Sequence, residues 1–342
     1  MSFQRFNRAD DIVENQRTIV TSGLWTGGST TLTISGVNGF YTSSTQGASS
    51  GSYLDVYNIN PSSSAAEVQF ALGYAHYAGS GSIGNTTKVI QGKRETAAIY
   101  SQFKNLLLPP NTSKFTFANG SSNSGDDFYF ISVQRARMRE KLDPGNWELH
   151  LDGATNKIKL IDDSSTASSV TVDQGGRVFN VVTGSIADGV LTPAASEASP
   201  GGYGLFYPDL GIILLNARKL DNDVADISTT RSTNTFDNNP RVLFKSIIEG
   251  ANFQARREEE ISSTSFFCRI NNKRFNFSSN PTFATSSDGS LTQPTFFKDP
   301  QTFITQVGLY NDDNELLAIA KLSKPLLNSY SREAIIKVKL DF

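Results

Sequence analysis

Cysteine, histidine and charge are all scarce in this sequence. A single thiol, Cys268, leaves no partner for an internal disulfide and no set of cysteines to hold a metal. It lies between Phe267 and Arg269 in an apolar stretch and reads as a small buried hydrophobe. The two histidines are His76, on an aromatic strand face, and His150, beside a strand containing Trp147. General bases are most often histidines, yet these two, without cysteine, do not form the common His-rich zinc sites. Both read as packed or hydrogen-bonded side chains. Charged residues make up 19% of the 342 positions and sum to a formal charge of -2. Nucleic-acid binders need a clustered basic surface, and the only candidate run is Arg135, Arg137, Arg139 and Lys141. It is interleaved with Glu140 and Asp143, and its period of two fits one solvated strand face. No apolar run approaches the ~20 residues that cross a bilayer, and residues 1–11 lack the apolar centre of a signal peptide. The expectation is a chain made in a cytoplasm, with no nucleic acid, membrane or small-molecule substrate among its partners.

Catalytic and cofactor motifs are missing too. Gly79-Ser80-Gly81-Ser82-Ile83-Gly84 follows a strand and has the three spaced glycines of a dinucleotide turn. That turn requires a following helix to hold the pyrophosphate. Residues 85–90 are rich in β-branched side chains instead, and a connecting loop is expected. Asp221, Asp223 and Asp226 lack the sixth-position glycine and twelfth-position glutamate of a calcium loop, which leaves a solvated linker. Glu258, Glu259 and Glu260 follow Arg256 and Arg257 and read as one solvated charge run. The expectation is no enzyme, no catalytic or metal residues and no cofactor.

What the chain does contain is aromatic and small polar residues. The apolar fraction is 38%, Ser, Thr, Asn and Gly fill the gap, and 23 Phe and 11 Tyr rule out the composition of a disordered chain. The apolar period is mostly two. Val68, Phe70, Leu72, Tyr74 and His76 alternate; Phe128, Phe130, Ile131 and Val133 start another strand; Trp147, Leu149 and Leu151 lead through Asp152-Gly153 to Ile158, Leu160 and Ile161. Arg177 to Val182 and Gly211 to Asn216 are nearly continuous apolar runs and read as buried strands. A helix is predicted from Lys93 to Leu108, with Ile99, Phe103 and Leu106 on one face and Pro109-Pro110 at its end. A second is predicted from Arg241 to Phe253, and Asp10 to Val20 reads as a short helix or a coil. Near the C-terminus, Phe303, Thr305, Val307 and Leu309 alternate up to the turn Asn311-Asp312-Asp313-Asn314, and Leu316 to Leu322 returns. Pro325 is expected to break this strand. Ile336, Val338, Leu340 and Phe342 then alternate, as the third strand of a sheet with one buried face that ends on a buried aromatic.

The predicted fold class is therefore mainly β: antiparallel sheets in sandwich-like domains, with a few short helices and long polar loops. The organisation expected is an extended assembly segment at 1–60, a β-rich domain with one helix at 61–220, a linker at 221–240 and a C-terminal β domain at 241–342 carrying the hairpin 303–322.

The C-terminal stretch also carries a resemblance. Phe303-Ile304-Thr305-Gln306-Val307-Gly308-Leu309-Tyr310, the acidic and amide turn, and Leu316-Leu317-Ala318-Ile319-Ala320 resemble a hairpin of phage tail proteins. A fuller resemblance is to the virion structural proteins of large contractile-tailed phages that infect cyanobacteria. It rests on Val20-Thr21-Ser22-Gly23-Leu24-Trp25, Phe40-Tyr41-Thr42-Ser43-Ser44 and Leu142-Asp143-Pro144-Gly145-Asn146-Trp147-Glu148-Leu149. Gly204-Leu205-Phe206-Tyr207-Pro208-Asp209-Leu210-Gly211 and Phe275-Asn276-Phe277-Ser278-Ser279-Asn280-Pro281-Thr282-Phe283 continue it. The resemblance implies a structural subunit of a virion, in the baseplate or another part of a contractile tail, with no catalytic residues to carry over. It implies other phage structural proteins as partners, a symmetric homo-oligomer within a larger assembly, and a possible fibre attachment point. The alternatives are a neck or head protein and a receptor-binding or fibre protein; fibrous repeats and coiled-coil heptads are absent from the sequence.

Overall fold

The computed structural model describes residues 4–33, 41–42, 53–82, 94–117, 124–152, 157–190, 202–224, 227, 238–285 and 288–342. A single helical turn, α1 (Arg8–Asp11), leads into β1 (Ile12–Gly23). The short strands β2 (Thr31–Thr33) and β3 (Tyr41–Thr42) precede β4 (Leu54–Tyr57) and β5 (Val68–His76). Helix α2 (Glu95–Leu107) is followed by β6 (Phe115–Thr116), β7 (Ser124–Gly125) and β8 (Asp127–Val133). After α3 (Arg135–Met138) come β9 (Lys141–Leu151), β10 (Ile158–Asp162), β11 (Thr171–Asp173), β12 (Gly176–Ser185), β13 (Gly189–Val190), β14 (Gly204–Tyr207) and β15 (Ile212–Asn216). Helices α4 (Ala217–Asp223) and α5 (Asn238–Gly250) precede β16 (Asn252–Ile270), and β17 (Thr302–Tyr310), β18 (Leu316–Asn328) and β19 (Ala334–Asp341) are the last three strands. The chain is mainly β and antiparallel, as its alternation predicts.

The elements form two compact units, one of residues 20–259 and one of residues 1–19 with 260–342. In the larger unit the strand order is β16-β9-β10-β12-β14-β15-β8-β5-β4-β3. Its central strands are buried on both faces. Along β8, Phe128 and Phe130 join one core while Tyr129, Ile131 and Val133 join another. Along β15, Ile212 and Leu214 go to the first of these cores and Ile213 and Leu215 to the second. Period-two alternation sends successive side chains to opposite faces, so a strand covered on both sides is apolar throughout. Tyr100, Leu107 and the partly buried Phe103 of α2 fill the first core, and Leu243 and Ile247 of α5 fill the second.

Several expectations change in this unit. The inward face of α2 uses Leu107, whereas Leu106 is exposed, because Tyr100, Phe103 and Leu107 are the set that reaches the sheet. Leu108 is extended (φ -107°, ψ 149°), as a residue before proline should be. The run Arg135 to Lys141 is not one strand face: Met138 is buried by the turn of α3, Arg139 has φ 60°, and each cation takes a different direction. Arg137 meets Glu67 (2.9 Å), Arg139 meets Glu259 (3.1 Å) and Lys141 meets Glu258 (3.1 Å). The boundary expected at 221–240 falls instead between 259 and 260. Leu220, Val224, Ile227, Leu243 and Ile247 all belong to the same core, so the segments on either side of that polar stretch are anchored together.

In the smaller unit the chain around Asp10 to Val20 is one helical turn and then strand, not a helix. Val13, Thr18, Ile19, Val20 and Thr21 are β-branched and favour that conformation. Asp11 pairs with Arg269 at 2.7 Å and Arg17 with Glu260 at 3.1 Å. Strand β19 pairs with β16 (Cys268 opposite Ile336, Phe266 opposite Val338), while β17 and β18 pair only with each other. The three final strands are therefore not one sheet. The inner face of the β17–β18 hairpin (Ile304, Val307, Leu309, Ala318, Ala320) shares a core with Phe266, Cys268, Ile270, Ile336 and Val338. Pro325 does not end β18: Ile304 is opposite Leu326 and Gln306 opposite Lys321, so the proline sits in a bulge where its missing N–H breaks no ladder bond. Phe342 is 75% exposed rather than buried, because the cluster ends at Leu340.

These positions predict stability. Ile336→Ala should cost about 2–5 kcal/mol, whereas Phe342→Ala should stay within about 0.5 kcal/mol, read by denaturant unfolding of each variant. A pH effect follows from Tyr100, whose buried hydroxyl donates to the Gly125 carbonyl and accepts from the Phe115 N–H at 3.2 Å. Burial raises its pKa from 10.0 to about 12. The folded chain holds this proton more tightly than the unfolded chain, so its contribution is complete below about pH 10 and lost as pH rises to about 12, at most about 3 kcal/mol. The melting temperature should fall over that window more steeply in the native protein than in Tyr100→Phe.

Candidate interaction surface

The residues with the greatest chemical potential are occupied by structural work. His76 Nδ1 accepts the Ala78 N–H at 3.0 Å and so caps the turn after β5. His150 Nε2 meets the Glu148 carboxylate, whose other oxygen accepts the Ile186 N–H at 2.8 Å. In the glycine-rich loop, Gly79 and Gly81 have φ 85° and 75°, and Ser82 Oγ accepts the Thr96 N–H at 3.2 Å, which caps α2; residues 83–90 lie outside the described residues. Asp223 takes the Tyr203 hydroxyl (2.7 Å) and Lys219 (3.3 Å), Asp221 belongs to α4, and Asp226 is not among the described residues. Glu258, Glu259 and Glu260 each meet a different cation, respectively Lys141, Arg139 and Arg17.

One acidic pair was not visible as such in the sequence. Asp143 and Asp162 stand on the paired strands β9 and β10, and only the hairpin brings them into each other's field. Burial raises the pKa of both, and for Asp143 the neighbouring Glu258 and Asp162 add to it. Their oxygens are committed to local structure. Asp162 accepts the Gly145 N–H (2.8 Å) and the Ser164 N–H (2.9 Å), and Asp143 accepts from Asn146 (2.9 Å). A groove of about 320 Å³ between Lys114, Asp173 and Asn180 includes neither of them. Among the described residues no group of three or more His, Cys, Asp or Glu is placed to hold a metal. Cys268 is half-buried in the smaller core, and burial pushes its thiol pKa up, which favours the less nucleophilic protonated form.

The feature that a folded monomer does not account for is the outer face of the β17–β18 hairpin. Cross-strand pairs share a face: Gln306 with Lys321, Gly308 with Ile319, Tyr310 with Leu316, and Phe303 with Leu327. Phe303, Ile319 and Leu317 are 63%, 53% and 68% exposed. A bulge at Leu316 and Leu317 leaves both leucines in solvent. A Cβ at Gly308 would come within 2.9 Å of the Tyr310 ring and 3.3 Å of the Leu316 side chain, both exposed groups that would have to shift. The glycine lets an aromatic and a leucine lie flat over the strand pair.

The tip is rigidly built. Asn311 Oδ1 accepts the Glu315 N–H at 2.7 Å, Asn311 Nδ2 donates to Glu315 Oε2 at 2.9 Å, and Asn314 takes the left-handed conformation (φ 64°). Asp312 and Asp313 are left pointing into solvent. The result is an acidic tip held by hydrogen bonds, followed by an apolar surface on a strand pair whose outer edges carry no third strand among the described residues. Exposed apolar side chains gathered at one end of a strand pair make this face the candidate interaction surface. No family model, curated protein or solved structure matches the chain.

Asn311→Ala removes both bonds of the tip. We expect faster amide exchange at Glu315 and a loss of about 1 kcal/mol in the smaller unit, with exchange elsewhere in β5 and β8 unchanged.

Proposed function

We propose that this chain is a non-enzymatic structural subunit of a phage particle, built into a contractile tail at or near the baseplate, where it contacts other structural proteins. The observation that carries the reading is the exposed apolar face of the β17–β18 hairpin. A chain with few charges and a high aromatic content has placed Phe303, Leu316, Leu317 and Ile319 in solvent on one strand pair, a surface that becomes favourable only when a neighbour covers it. The residues that build it, Gly308-Leu309-Tyr310 and Leu316 to Ala320, are those that resemble the hairpin of phage tail proteins. Three other stretches of that resemblance supply turns and packing. Gly145 turns with φ 80° within β9, Asp209 binds Arg177 through two oxygens at the turn between β14 and β15, and Trp25 donates to the Phe253 carbonyl at 3.1 Å. Such roles suit a scaffold.

The test is labelling of phage particles with an antibody to this chain, imaged in negative stain. Label at the baseplate end of the tail is the expected result; label at the neck, the head or the fibre tips supports one of the alternative addresses. Particles that carry no label, or a purified protein whose cell-wall hydrolysis disappears on changing Asp143 or Asp162 to Asn, would overturn the structural reading.

A further inference from the structure

Strand β11 faces the opposite way from what burial alone favours. Val172 and the preceding Val170 are 68% and 53% exposed, whereas Thr171 and Asp173 line a groove of about 320 Å³ whose floor is Leu108, Val178 and Leu205. A strand beside apolar neighbours ordinarily turns its valines inward and its polar residues to water. The facing wall has the same polar character. Beyond Pro109 the chain runs along the groove, and Phe115 and Phe117 are buried in the core beneath α2 while Thr112 and Thr116 fall on the groove side. The hydroxyls of Thr112, Thr116 and Thr171 and the carboxylate of Asp173 have no hydrogen-bond or ion-pair partner among the described residues. Lys114, which also lines the groove, is taken by Asp126 at 2.6 Å. Tyr207 stands on the same face of β14 as Leu205, and its buried hydroxyl is likewise without a partner among the described residues. Burial, with the charge of Asp173 adding to it, pushes the pKa of that hydroxyl up, so the two groups lie in each other's field.

The chemistry of the walls selects a guest. Threonine hydroxyls both donate and accept, and an ionised carboxylate only accepts, with room for two donors. An apolar guest would bury these groups unpaired, which is costly. A cation would use Asp173 and leave the threonines idle. A sugar ring has a C–H face for the aliphatic floor and a rim of hydroxyls for the walls, and the groove has the volume of a site for one small molecule. We propose that this groove binds a neutral saccharide unit, with two adjacent sugar hydroxyls donating to Asp173 and others meeting Thr112, Thr116 and Thr171. No bond is made or broken in this binding. It goes beyond the assembly reading and does not depend on it.

The experiment follows the methyl NMR signals of the full-length chain while glucose, galactose, mannose, rhamnose and N-acetylglucosamine are added one at a time. At least one of these probes should shift the signals of Leu108, Val178 and Leu205 with a Kd on the order of 1 mM. Signals of Val307 and Ile319, in the hairpin, should stay in place. Asp173→Asn should weaken that binding about tenfold and Thr171→Val about threefold. Both changes keep the shape of the side chain at a position open to solvent, so melting curves should match the native protein. Groove methyls unmoved by every probe up to on the order of 50 mM overturn the proposal. So do folded variants that bind as tightly as the native chain, or shifts produced by butylguanidinium and by no sugar, which would make the groove a cation seat. Each of these outcomes leaves the address of the chain on the particle to be decided by the antibody label.

Discussion

The architecture depends on burial of the central strands on both faces. A sheet exposed on one side needs apolar residues at every second position only. Strands β8 and β15 instead place Phe128, Tyr129, Phe130 and Ile131, and Ile212 to Leu215, alternately into two cores. That arrangement requires cover on each side, and the chain supplies it with α2 on one face and α5 on the other. The aromatic wealth of the sequence is spent here. Tyr100, Phe103, Phe115 and Phe128 lie ring to ring at centroid distances of 5.1 to 5.8 Å, and Trp25, Phe70 and Phe253 do the same at 4.9 to 6.0 Å on the other face. Edge and tilted contacts of this type add to plain area burial.

What the sequence made legible was local. Val68 to His76 is a strand at the residues its alternation marks, the continuous runs of β12 and β15 are buried as predicted, and the proline pair ends α2. What it hid was pairing. Alternation in residues 334–341 identifies a buried face but not its partner, which is a strand some seventy residues earlier rather than the adjacent hairpin. Domain limits were hidden for the same reason, because a polar stretch such as 221–240 looks like a linker whether or not its flanks share a core. The basic run failed differently: one buried methionine, Met138, imposed a helical turn on a pattern whose charges had suggested a strand.

The interaction surface was half legible. The hairpin and its turn could be read from Gly308, Tyr310 and Asn311, but exposure of its outer face could not. Leu316-Leu317-Ala318-Ile319-Ala320 has the composition of a strand covered on both sides, and composition is silent on whether the second cover belongs to the same molecule. In β15 the cover is internal; on β18 none is supplied within the described residues of this unit. Asp143 and Asp162 show the opposite case: burial shifts their acidity, and their oxygens are held by the Asn146 side-chain amide and by the Gly145 and Ser164 N–H groups.

The smaller unit is made of two distant pieces of chain, residues 1–19 and 260–342. Translation therefore separates its halves in time. At about 5–20 residues per second, roughly 240 residues of intervening chain delay the second piece by about 10–50 seconds, during which the first has no native partner. Val13 and Ile19 precede their unit's second piece by the whole of residues 20–259, which have the opportunity to fold as a body of their own in that interval.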